Sequence, residues 1–253
     1  MIITVAFGKG GTGKTSTACA IVNYAKQKGK SVLAVDCDPQ SNFTYALGGD
    51  ASKVGLYDVV TNRQTAGSVI QKTPQTMLIP AGLNLAAAET EILNRPGRDF
   101  ILKKSIEPLK SKFDLVVIDT QPDLGVLLVN ALFASDAVLL PMQANSFSIM
   151  GLYQMENTIS QVNEVRESLN NDPLQVMGIV LTKYKPRQTL ANDLRESIEE
   201  QAQAMGTKLL NTYIREAVAV EQAQALQKSL FEYAPRSNAA IDYAKLCDEL
   251  KLF

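Results

Sequence analysis

A mostly parallel, twisted α/β sheet covered by helices on both faces is the fold that this sequence predicts. Short β-rich runs, apolar at nearly every residue, alternate with longer stretches of helical period. Strands apolar on both sides belong in a sheet with helices on both sides. The 46% hydrophobic and 20% charged content fits a globular chain and not a disordered one. No linker, internal repeat or low-complexity tract divides the sequence, so residues 1–253 read as a single domain.

The opening is a βαβ unit: a strand from Ile2 to Phe7, a helix from Thr15 to Lys28, and a second strand from Ser31 to Val35. The same apolar run recurs at Thr76–Ile79, Leu115–Ile118, Ala137–Leu140, Val176–Leu181 and Leu209–Leu210. From Ser237 to Phe253 the apolar residues Ala240, Ile241, Ala244, Cys247 and Leu250 recur at helical spacing, which predicts a last covering helix docked on the sheet.

Composition removes several chemistries. With no histidine, Ser-His-Asp and Cys-His triads and imidazole-ligated zinc are excluded, which leaves carboxylates, lysines, hydroxyls or a bound metal. Cys19, Cys37 and Cys247 are too far apart for a CxxC pair and odd in number, so a reducing cytoplasm is expected. The apolar segment Met1–Phe7 lacks a basic leader, and the stretch from Leu124 to Met142 is broken by Asn130, Ser135 and Asp136. Neither a secretory signal nor a membrane span is expected, and the protein reads as soluble. The formal charge of -1 implies that any nucleic-acid surface comes from local clustering.

The most specific signal lies directly after the first strand. Gly8-Lys9-Gly10-Gly11-Thr12-Gly13-Lys14-Thr15 fits GxxxxGK[ST] and opens a helix, the context in which the motif forms a phosphate-binding loop (P-loop). Glycines let backbone N–H groups turn toward phosphate oxygens, and the helix N-terminus adds its positive end. Lys14 then reaches the β- and γ-phosphates of a nucleotide, and Thr15 offers a hydroxyl to Mg²⁺. Asp119 ends the apolar run from Phe113 in the Walker B manner and is a metal-holding carboxylate, while Asp36-Cys37-Asp38 aims one carboxylate at the γ-phosphate to orient water.

These residues resemble the ParA/MinD family of deviant Walker A P-loop ATPases, and in particular its ParA-type partition members. The deviation is Lys9, and the likeness continues through Asp36-Cys37-Asp38-Pro39-Gln40-Ser41-Asn42, Leu83–Glu89, Asp119–Pro122, Leu181–Tyr184 and Tyr233–Ser237. The resemblance implies ATP and Mg²⁺ as cofactors, with Gly10, Gly11, Thr12, Gly13, Lys14, Thr15 and Ser16 on the nucleotide. It implies that Lys9 reaches across a nucleotide-sandwich homodimer, that Asp38 positions the hydrolytic water, and that Thr182, Tyr184 and Pro235 cradle the adenine. Gln121 and Asp123 stand where relatives often carry Pro and Ser.

The resemblance also implies ATP-dependent, sequence-nonspecific DNA binding, for which Lys183, Lys185, Arg187, Lys208, Arg215, Lys228 and Arg236 are candidates. Ala217 and Ala219 stand where relatives often place a second arginine. The expected function is a cytoplasmic, nucleoid-associated ATPase that positions a plasmid, chromosome or protein body, with a cargo-bound ParB-like partner stimulating hydrolysis. With the first strand at Ile2, no extra N-terminal helix-turn-helix is expected, which argues against a version that also represses its own operon. A MinD-like membrane-cycling regulator is the alternative, but Asp242, Asp248 and Glu249 balance Lys245 and Lys251 in the tail, so no membrane partner is expected. A further alternative is an ATP-dependent small-molecule ligase; a cluster-carrying reductase lacks its cysteines between Cys37 and Cys247.

Overall fold

The computed structural model describes residues 1–185 and 189–252, with backbone alone at residue 146 and at residues 189–193. Eight strands form one sheet: β1 Ile2–Val5, β2 Val32–Cys37, β3 Gln71–Lys72, β4 Met77–Ile79, β5 Leu115–Thr120, β6 Ala137–Met142, β7 Gln175–Tyr184 and β8 Ile214–Arg215. Their spatial order is β3-β4-β2-β5-β1-β6-β7-β8, and every pairing is parallel except that of β3 with β4. The expected sheet is therefore present.

Among the described residues eleven α-helices flank the strands, the last three following β8: α1 Lys14–Gln27, α2 Asn42–Ala46, α3 Leu56–Val60, α4 Leu85–Ile92, α5 Ile101–Ile106, α6 Val126–Ala134, α7 Ser146–Ser168, α8 Thr189–Ala204, α9 Val218–Ala225, α10 Leu230–Tyr233 and α11 Asn238–Glu249. Strand side chains alternate between two apolar layers. Ile3, Val5, Ala34 and Val180 pack under α1, α2 and the C-terminal helices. Ile2, Leu33, Val35 and Ile118 pack under α3 to α6, and Val138, Leu140 and Leu181 under α6, α7 and α8. The last helix docks as expected: α11 buries Ala239, Ala240, Tyr243, Leu246 and Cys247 while Ile241 is exposed, and its N-cap Ser237 accepts the Ala240 amide.

One strand expectation changes. Leu209–Leu210 forms only a single parallel bridge to Ile179, and the edge strand is β8, four residues on. Leu210 instead packs its side chain against Gly178, where a Cβ would lie 2.8 Å from it and where φ is +153°. The two-residue β3 carries no apolar pattern that sequence periodicity detects.

Candidate nucleotide site

The C-terminal ends of the parallel strands converge on the loop between β1 and α1, the edge at which open α/β sheets bind ligands. Gly11 and Gly13 take φ of +74° and +86°, backbone that bulkier residues rarely adopt, and this turns the chain into the first turn of α1. Lys14 is almost wholly buried, and its Nζ donates to the Lys9 carbonyl at 2.9 Å, across the loop. Burial pushes the Lys14 ammonium down from its usual range, against the attraction of Asp119 and Asp38. Thr182, from the end of β7, donates to the Thr12 carbonyl at 2.7 Å and ties the loop to the sheet.

Thr15 Oγ1 donates to Asp119 Oδ2 at 2.7 Å, so the two expected metal-holding residues meet although 104 positions separate them. Asp119 is fully buried, and its Oδ1 has no hydrogen-bond partner. Burial and the neighbouring Asp36 charge hold this carboxyl well above the usual range. An orphaned buried carboxylate oxygen beside a threonine hydroxyl fits a hard divalent cation, which keeps several waters and takes few protein ligands. Thr15 and Asp119 would hold Mg²⁺ there, and the ion would supply charge neutralisation to phosphate oxygens.

Asp36 and Asp38 separate in role. Asp36 Oδ2 accepts the Thr44 amide and hydroxyl, each at 2.7 Å, and its Oδ1 accepts the Asp38 amide at 3.1 Å. Asp38 faces a cavity of about 650 Å³ together with Gly10–Ser16 and Thr182. That volume is of the size that small ligands occupy. Ser16 lines it too, its hydroxyl accepting from Gln224 at 3.3 Å.

Lys9 is absent from this cavity's wall. Its Nζ donates to Asn145 Oδ1 at 3.0 Å and lies 5.2 Å from the centre of the Phe147 ring, whose side chain is 80% exposed. Asn145 is also the N-cap of α7, accepting the Ser148 amide.

Several of the expected site residues lie away from this cavity or are engaged elsewhere. Tyr184 does not reach the cavity: Lys183, at φ +48°, interrupts strand alternation, and Tyr184 packs on Tyr213 in the core with 5.0 Å between ring centres. Pro235 is exposed and also off the cavity wall. Arg215 is held by Asp242 through two charge-assisted bonds of 2.8 and 2.7 Å and lines the nucleotide cavity, so it is not a free surface cation. Lys185 pairs with Glu216 at 3.3 Å; Lys183, Lys208, Lys228 and Arg236 are exposed, and Arg187 lies outside the described residues.

The cavity wall that the sequence analysis missed runs from Ile214 to Val218 and includes Gln224 on α9. No motif marks it. The available signal was positional, since this segment follows the carboxyl end of the edge strand.

Loop, hydroxyl and buried carboxylate on such a sheet define a P-loop nucleotide-binding protein. Residues 1–175 match the family described as the AAA domain. The chain is 36% identical to the sporulation initiation inhibitor protein Soj of Bacillus subtilis, over 98% of this chain and 97% of that protein. It is 33% identical to the chromosome-partitioning ATPase Soj of Treponema pallidum, over 96% and 93%. Among solved structures, cobyrinic acid a,c-diamide synthase of Mycobacterium smegmatis with bound ADP and magnesium superposes with a TM-score of 0.82 at 30% identity. That match covers 98% of this chain and 92% of the other. The chain belongs to the ParA/MinD-type family of P-loop partition ATPases.

Proposed function

We propose that residues 1–253 form a single Mg-ATP-driven positioning ATPase that pairs with a second copy over nucleotide. The pair binds nucleoid DNA without sequence preference and is released when a ParB-like, cargo-bound partner stimulates hydrolysis. ATP with Mg²⁺ is the nucleotide expected from the Lys14, Thr15 and Asp119 cluster, and relatives of this chain bear partitioning names. Lys14 binds the phosphates, Asp38 orders the attacking water, and Gly10–Ser16 with Thr182 surround the triphosphate.

Lys9 carries the pairing. One loop lysine is buried within the subunit, and the second is turned outward onto Asn145 and an exposed phenylalanine ring. A second copy facing this surface takes Lys9 to its own triphosphate, where the charge offsets phosphate repulsion. Lys9→Ala and Asp38→Ala should each bind nucleotide and lose turnover. A mixture should regain part of it, because one site of the mixed pair keeps Asp38 and receives Lys9 from the opposite chain. A silent mixture in which hetero-pairs form would sink the assignment.

For DNA, the exposed cations Lys183, Lys208, Lys228 and Arg236, with Lys185 and Arg187, remain the contacts we propose. Their joint replacement should flatten the salt dependence of binding. A membrane-cycling reading has less support, because the apolar side of α11 is spent on the core.

The diamide synthase similarity favours a second reading, a ligase that activates a small carboxylic acid with ATP. Turnover that waits on such an acid and ignores DNA and partner would select it.

A further inference from the structure

At the opposite end of the sheet lies a groove of about 890 Å³, larger than the nucleotide cavity. Its apolar part is an aromatic pair, Phe100 and Phe133, with ring centres 4.6 Å apart, flanked by Leu169. Lys103 and Lys104 stand on the rim, with Glu107 and Asp172. Lys110 is neutralised by Asp136 at 2.9 Å.

Arg166, near the end of α7, lines the same groove and is only 6% exposed. Its Nη1 and Nη2 donate to the Ser135 carbonyl at 3.0 and 2.9 Å, and Nη1 also to that of Leu132 at 3.3 Å, capping the C-terminal turn of α6. Its Nε is buried without a partner, and among the described residues no carboxylate lies within ion-pair distance. A helix C-terminus offers roughly half a negative charge, and Asp136, already paired with Lys110, and Asp172 attract the guanidinium only from beyond ion-pair distance, so it keeps a positive surplus in a desolvated place. Burial accordingly lowers its proton affinity. Buried charges are ordinarily paired, which makes this one a candidate anchor for an anion.

We propose that this groove binds a small organic anion, a carboxylate, sulfonate or phosphate on an aromatic or aliphatic body. The charged group lies toward Arg166 and the rim lysines, and the body lies on Phe100, whose ring packs on the buried Phe133. The volume fits one small ligand. An almost wholly buried guanidinium at a groove floor is reached by a small ligand more readily than by a folded protein surface. The site stands apart from the nucleotide reading, so either survives the failure of the other.

The probe is 8-anilinonaphthalene-1-sulfonate, an aromatic sulfonate whose fluorescence rises in apolar surroundings. The chain has no tryptophan, so Phe100→Trp installs a single donor beside the proposed site. One dye per chain should bind, take energy from that tryptophan, and stay bound at saturating Mg-ATP. Arg166→Met should weaken the dye about tenfold or more, the size expected for a charge-assisted contact. Because that change also uncaps α6, the surface variant Lys103→Gln with Lys104→Gln is measured beside it and should weaken the dye about threefold at low salt. Displacement of the dye by Mg-ATP overturns the proposal. So do unaltered affinity in the lysine variant, absence of energy transfer, and displacement only by an acidic peptide and not by a free small carboxylate.

Discussion

Asp36 and Asp119 end neighbouring strands and lie opposite each other in the register of β2 and β5, both fully buried. They nevertheless meet opposite environments. Asp36 accepts three hydrogen bonds from the α2 entry and from Asp38, so its lone pairs are committed to shaping the loop that carries Asp38. Asp119 accepts one, from Thr15, and leaves an oxygen unmatched at the phosphate loop. Satisfaction of the lone pairs, and not burial or position, separates the acid that builds the loop from the acid proposed to hold a cation.

The largest expected effect comes from breaking the unmatched member. Asp119→Asn preserves shape and an acceptor for Thr15 but removes the charge, so turnover should fall by roughly a thousandfold or more and Mg²⁺ dependence should flatten. Stability should stay within about 1 kcal/mol of wild type, because burial of an uncompensated carboxylate is relieved. Steady-state ATP hydrolysis and a thermal melt on the same sample check both. Turnover near wild type would move the metal role elsewhere.

Asp36→Ala should invert that profile. Three buried donors lose their acceptor, and at about 1–3 kcal/mol for each unsatisfied group, reduced by relaxation, the cost should be roughly 3 kcal/mol. In a chain of this size that lowers the melting temperature by about 6–12 °C. Nucleotide binding through Lys14 should survive below the melt, which calorimetry measures. A melt unchanged from wild type would show that Asp36 is not the acid that builds the loop.

Proton linkage refines the contrast. Burial pushes Asp36 from its ordinary 3.8 up to about 7, against the pull of its three donors. A folded value above the unfolded one means that the native state holds the extra proton. The contribution is therefore full below about pH 4 and is lost as pH rises through 7, at no more than about 1.4 kcal/mol per pH unit. The wild-type advantage over Asp36→Asn, measured by urea unfolding, should shrink between pH 5 and pH 8. An advantage that grows would place the folded value below the unfolded one.

Much of this was legible beforehand, and the parts that were not share one cause. Apolar runs located six of the eight strands, and the loop motif located Lys14, Thr15 and the edge of the sheet where they act. In Asp36-Cys37-Asp38 only the family resemblance named Asp38; the residues themselves did not tell the two acids apart, because the partner that distinguishes them is Thr44, eight residues on from Asp36. The Arg215 pairing with Asp242 spans 27 residues, and nothing local to Arg215 announces it. Tyr184 sits two residues from Thr182, the spacing that shares a strand face, yet the left-handed backbone at Lys183 turns it into the core. Local pattern is written in sequence; the satisfaction of polar groups is settled by long-range contacts.

The smallest effect tests Thr44 itself, the residue that makes Asp36 unlike Asp119. Its hydroxyl donates to Asp36 Oδ2 and accepts the Ala81 amide at 3.0 Å, and the side chain is wholly buried. Thr44→Val keeps the volume and deletes both bonds. The loss should be about 1–2 kcal/mol, since each net hydrogen bond is worth about 1 kcal/mol. Thr44→Ser keeps the hydroxyl and deletes a methyl, which costs about 1 kcal/mol from burial alone. The two substitutions are thus close in stability and differ in chemistry. In Thr44→Val, Asp36 retains only backbone donors and moves toward the condition of Asp119, so its proton should be held more tightly and the decline in stability with pH should extend above 7. In Thr44→Ser the profile should follow wild type. Unfolding curves at pH 6, 7 and 8 separate the cases, and coincident pH profiles for the two variants would show that the hydroxyl does not set the character of Asp36.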